Sequence, residues 1–83
     1  MPLYLDVHTI EGGVDAENVA KAHAADVATQ DKYGVNYFKY WVNAREGKVF
    51  CLVEAPSPEA ARAVHQEAHG LLADDIFLVE EGL

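Results

Sequence analysis

Polarity alternates from the third residue. Leu3, Leu5 and Val7 point one way and Tyr4, Asp6 and His8 the other, so Leu3 to about Thr9 is predicted as a strand, ended by Gly12-Gly13. Asp15 is placed to cap a helix running to about Lys32, with Gly34 just past its end. At 100° per residue, Ala16, Val19, His23 and Val27 share one stripe, which sets His23 between two valines on the face expected to meet the core. Val35 to Val42 is β-branched and aromatic and reads as a second strand. Asn43 to Gly47 turns the chain, and Lys48 to Ala55 returns it.

Facing Val42 with Lys48 sets Tyr40 against Phe50 and Phe38 against Leu52. The opposite face then carries Tyr37, Lys39, Trp41, Val49, Cys51 and Val53, and a slip of one residue would reverse the assignment. Ser57 as N-cap, Pro58 in the first helical position and Glu59 in the first turn start a second helix that runs to about His69, with Gly70 as its C-cap. Ala61, Val64, Ala68 and Leu71 form its apolar stripe, with His65 and His69 beside it on the flank and outer face. Ile76 to Glu80 closes the chain as a short strand.

The order βαββαβ predicts an α+β fold, a ferredoxin-like two-layer sandwich with an antiparallel sheet in the order 4-1-3-2 and both helices on one face. The length, 83 residues, fits a single domain over residues 1–83. The register above leaves Tyr4, Tyr37, Trp41, Val49, Cys51 and Val53 on the face without helices. That is more apolar surface than a monomer leaves wet, so a symmetric homodimer through the open sheet face is expected.

Charge narrows the function. Six basic residues stand against 14 acidic ones, a net of −8. The scattered Lys and Arg argue against nucleic acid and against an anionic membrane surface, whereas an acidic surface concentrates cations. With one cysteine there is no internal disulfide. The opening residues lack a basic n-region, and no apolar run approaches a membrane span, so the expected location is the cytoplasm. A Gly-rich phosphate loop and a C-x-x-C pair are both absent from the sequence.

The histidines carry the candidate chemistry. His65 and His69, at i and i+4, stand one above the other on a helix, where two imidazoles bind one divalent metal. In this topology the end of the first strand, His8 and then Glu11, reaches the same rim as that pair, as does the turn at Asp74-Asp75. Asp6 shares a strand face with His8 and serves as ligand or orienter. The expected metal site is therefore His8, His65, His69 and Asp6, at the rim or the dimer surface. His23 reads as a core histidine or as a group facing a pocket. Cys51 reads as a small buried hydrophobe, and as a soft ligand only with His or acid neighbours.

Several stretches carry a likeness: the opening Met-Pro-Leu-Tyr-Leu-Asp-Val-His, Ala22-His23-Ala24-Ala25-Asp26, Tyr33-Gly34-Val35, Val49 to Pro56, and His65-Gln66-Glu67-Ala68-His69-Gly70. Together they resemble a family of small bacterial ferredoxin-like domains of unknown function that includes an actinobacterial nickel-binding protein. The resemblance implies a homodimer that binds nickel ion for sequestration or tolerance; its ligand type would also accept zinc or copper in vitro. It places no ligand residue by residue. The rival reading is a small dimeric enzyme of the monooxygenase or isomerase type, with His23, Tyr40 and Trp41 lining a pocket. A deep apolar pocket around His23 would favour the enzyme, and a solid core there the metal protein.

Overall fold

A computed structural model describes residues 1–82. Strand β1 (Leu3–Thr9) leads to helix α1 (Ala16–Thr29), a 3-10 turn (Gln30–Tyr33), strands β2 (Asn36–Asn43) and β3 (Lys48–Glu54), helix α2 (Pro58–Ala68) and strand β4 (Asp75–Val79). The sheet order is β2-β3-β1-β4 with every pairing antiparallel, the expected ferredoxin-like arrangement. The predicted N-caps are in place, whereas the C-cap of α2 is His69, one residue before the expected Gly70. The Asp15 side chain accepts from the Glu17 N–H at 2.8 Å, and Ser57 Oγ accepts from the Ala60 N–H at 3.2 Å. Among the described residues no helix is long and apolar enough to cross a membrane.

The hairpin register differs from the expected one. Asn43 stays in the ladder opposite Lys48, because its side-chain oxygen accepts from the Glu46 N–H at 3.0 Å and closes the turn. Val42 thus faces Val49 and Tyr40 faces Cys51. A bulge between Tyr37 and Lys39 then returns Tyr37 to the same face opposite Val53, with Phe38 as the extra residue. At the end of this hairpin Gly47 is buried at φ 68°, where any Cβ would run into the Ile10 carbonyl.

The sheet also presents the opposite face to the helices. Tyr4, Tyr37, Val49, Cys51 and Val53, expected on the open face, are core residues packed with Val19, Ala61 and Val64. The polar set of β1, Asp6 and His8, goes in with Tyr4, while Leu3, Leu5 and Val7 line the open face with Phe50 and Leu52. Hydrophobicity alone favours the reverse. It is overridden because the helices bring matching polar groups to Asp6 and His8.

The helices are rotated to suit. On α1 the buried residues are Val19 and Asp26, whereas Ala16 and Val27 are exposed. Gln30, just past the helix, is buried and accepts from the Tyr37 N–H at 2.7 Å. On α2, His65 is buried with Ala61 and Val64, whereas Leu71 is exposed.

Candidate metal centre

Five strand and helix segments meet at one imidazole. The alternation of β1 delivers Asp6 and His8 to the helix side, and β3 places Cys51 opposite Asp6. From β2, the Tyr37 hydroxyl donates to Asp6 Oδ2 at 2.8 Å. His65 enters from α2 with a carboxylate on each ring nitrogen: Asp26 Oδ1 lies 2.8 Å from Nδ1, and Asp6 Oδ2 lies 3.0 Å from Nε2. His8 Nε2 approaches His65 Nε2 to 3.3 Å and Asp6 Oδ1 to 3.3 Å. Asp6 is fully buried, His65 1% exposed and Asp26 2% exposed.

The electrostatics follow. Burial alone would push His65 down, but its hydrogen bonds to Asp26 and Asp6, reinforced by their charges, raise it to about 9. Burial would likewise raise Asp6. The His65 and His8 contacts, the His65 charge and the Tyr37 hydrogen bond outweigh it and hold Asp6 well below the usual carboxylate range. Burial first, then the Asp6 charge, pushes both the Tyr37 hydroxyl and the Cys51 thiol up. His69 is lowered, chiefly by burial.

Two buried side-chain polar atoms among the described residues lack a hydrogen bond, and both belong to this cluster: Asp6 Oδ1 and His69 Nε2. Each has a close neighbour out of line, His8 Nε2 at 3.3 Å and Asp26 Oδ1 at 3.0 Å respectively. The donor atoms form two groups that share His65, namely Asp6, His8, Cys51 and His65, and Asp26, His65 and His69. Within each group the atoms lie within 4.8 Å of one another. An ion holding nitrogens at about 2.0–2.1 Å sets neighbouring donors about 3.0 Å apart at a right angle and about 3.4 Å apart at the tetrahedral angle. The two imidazole nitrogens, His8 Nε2 and His65 Nε2, are 3.3 Å apart, and each has one oxygen of Asp6 beside it, Oδ1 at 3.3 Å from His8 and Oδ2 at 3.0 Å from His65, so the residue set could hold a divalent transition metal.

Of the residues expected from sequence, Asp6, His8 and His65 are brought together, but in the interior and not at the rim. His69 reaches the other side of His65, next to Asp26. Glu11, Asp74 and Asp75 are exposed and belong to neither group, and Asp74 Oδ2 accepts from the Thr9 N–H at 2.6 Å. Asp26 and Tyr37 were not foreseen as cluster members. Asp26 lies seven residues after Val19, on the same helix face, and that spacing was the available signal. Cys51 has the His and acid neighbours that a ligand role requires.

A cavity of about 70 Å³ adjoins the cluster. Ile10, Val14, Val19 and Val49 supply apolar wall, and His23 and Tyr40 also line it, their rings 4.9 Å apart. Trp41, expected beside them, is on the open face of the sheet, opposite Phe50.

A family described as nickel responsive protein SCO4226-like matches residues 4–79. The crystal structure of SCO4226 from Streptomyces coelicolor A3(2) is similar at 33% sequence identity and a TM-score of 0.89, covering 98% of this chain and 99% of that one. No curated protein matches the sequence.

Proposed function

The chain belongs to the SCO4226-like family of nickel responsive proteins, and from that membership we propose that it binds nickel, as a single-domain subunit of a homodimer that sequesters the ion or confers tolerance to it. The observation that carries this reading is the buried convergence of Asp6, His8, Cys51 and His65 donors at separations suited to one divalent ion. In this role Asp6, His8 and His65 ligate the ion through Nε2 and carboxylate oxygen, with Cys51 within reach as a fourth donor. Asp26 holds the far nitrogen of His65 and so orients the ring. His69 contributes from the second group, through Asp26 and His65. Nickel is here the cargo and not a catalytic cofactor. The same nitrogen and carboxylate set accepts zinc and copper, so preference for nickel rests on availability and geometry.

Calorimetric titration of metal-free, untagged protein tests the reading. His8→Ala and His65→Ala each weaken nickel binding by roughly tenfold or more, equivalent to at least about 1.4 kcal/mol. His69→Ala has the smaller effect, because His69 belongs to the Asp26 group and not to the Asp6 group. Unchanged affinity in all three variants, each folded by circular dichroism, would defeat the interior site.

The cavity beside His23 favours a second reading, a small ferredoxin-like enzyme of the monooxygenase or isomerase type. Turnover of an organic substrate that disappears in His23→Ala and persists without metal would select it.

A further inference from the structure

Of the two buried polar atoms without a hydrogen bond, Asp6 Oδ1 belongs to a residue outside the cavity wall and His69 Nε2 to a residue that lines it. The other ring nitrogen of His69 fixes where its proton sits. The Leu71 N–H donates to His69 Nδ1 at 3.1 Å, so Nδ1 bears a lone pair and the neutral ring carries its proton on Nε2. Asp26 Oδ1, 3.0 Å away, is out of line and is already engaged by His65 Nδ1 at 2.8 Å. His69 thus holds a buried N–H without an acceptor beside an apolar space, and a donor in that state costs free energy that a fitting ligand recovers.

We propose that the cavity binds a small neutral carbonyl compound, whose oxygen accepts from His69 Nε2–H and whose alkyl body fills the space between α1 and the sheet. Binding of this kind needs neither an ion nor turnover and is independent of both readings above. Size, polarity and charge set the ligand class. A cavity of about 150 Å³ accepts benzene, so one of about 70 Å³ encloses a body of about four heavy atoms. Asn18 and Leu71, both exposed, line it where it meets solvent.

Ile10, Val14, Val19, Ala22 and Val49 give an apolar wall that rewards an alkyl body. Water is the poorer occupant, because a buried water takes about two to four polar partners. The neighbouring imidazoles are committed elsewhere: His65 faces Asp26 and Asp6, and His8 Nε2 faces His65 and Asp6. An anionic head would stand beside the Asp26 carboxylate in a chain of net −8 and be repelled. A cationic head offers no lone pair to the N–H and loses its hydration in an apolar space.

The test titrates metal-free protein, held so by chelator, with acetone, isobutene and acetate, which share one trigonal heavy-atom frame. Amide and imidazole nitrogen NMR shifts read the binding. His69 is expected as the Nε2–H tautomer in the free protein. Acetone and isobutene shift the amides of Ala22, Val49 and Leu71 saturably, and acetone also moves the His69 Nε2 resonance. His69→Phe keeps a ring and removes the donor, so acetone binding weakens by at least about fivefold while isobutene binding stays within about twofold. His69→Gln, which restores an N–H, returns acetone to within about threefold of wild type. Acetate binds at least about tenfold more weakly than acetone. Ala22→Leu, which fills the cavity from α1, abolishes the shifts from both neutral probes, and Val14→Phe serves the same purpose should that variant fail to fold.

The absence of a saturable acetone shift, equal acetone affinity in wild type and His69→Phe, or shifts that survive in the filled variants would each overturn the carbonyl site. So would acetate binding as tightly as acetone, or the Nδ1–H tautomer in the free protein.

Discussion

His65 holds two carboxylates at once, and that fixes how the cluster responds to pH. Its ring nitrogens face Asp26 and Asp6, and it is raised to about 9, above the ordinary imidazole value of about 6.5. Stability from this pairing is fully present below about pH 6.5 and is lost as the pH rises through about 9. Asp6 is depressed, so its contribution is present above about pH 3.9 and is lost as the pH falls toward its folded value. Metal-free protein is therefore expected to be most stable between about pH 4 and 6.5, which thermal unfolding across pH measures. Nickel needs the Nε2 lone pair and must displace a proton from His65. Affinity should climb by about tenfold per pH unit from pH 7 and level off near 9, with about one proton released per ion at pH 7. An ordinary imidazole would give a fall only below about pH 6, so calorimetry in buffers of different ionisation enthalpy separates the two cases.

At the level of elements, the bulge in β2 depends on a side chain from the end of α1. Gln30 Oε1 accepts from the Tyr37 N–H at 2.7 Å, and both residues are buried. Gln30→Ala leaves that N–H unsatisfied and should cost about 1–3 kcal/mol in denaturant unfolding, with Tyr37→Phe weakening nickel binding through the loss of its hydrogen bond to Asp6. The elements themselves were legible in the sequence, since Asp15, Ser57-Pro58 and the glycines at 34 and 70 mark their ends directly. The side each strand shows to the core was not. Alternation in β1 gives a period of two without a direction, and apolar Leu3, Leu5 and Val7 pointed to the wrong answer. The direction is set by Asp26, His65 and Tyr37, whose partners lie on other elements. Local spacing likewise gives His65 and His69 as a pair on one helix but not the depth at which the first is buried. Nothing in the run from Tyr37 to Lys39 announces that Phe38 is an extra residue in the ladder.

Across the whole molecule the sheet leaves one face without helices. Leu5, Val7, Phe50 and Leu52 are half-buried there, with Trp41 49% and Phe77 51% exposed. The apolar surface expected to seat a second copy thus consists of these residues and not of Tyr4, which is in the core. Phe50→Glu should shift the mass from light scattering at micromolar concentration from twice the 9.1 kDa chain to the single chain. A wild-type mass of one chain would remove the dimer from the proposed function. The order of the sheet has a consequence in time as well. β1 lies in the interior of the sheet, between β3 and β4, yet it precedes both in the chain. Both of its neighbours are synthesised later, and His65 stands 57 positions after His8 and 59 after Asp6. Closing loops of that length comes late, because its entropic cost precedes any contact that rewards it. A nascent chain therefore carries Asp6 and His8 apart from His65 until most of the sequence has emerged, and the cluster is completed late in folding.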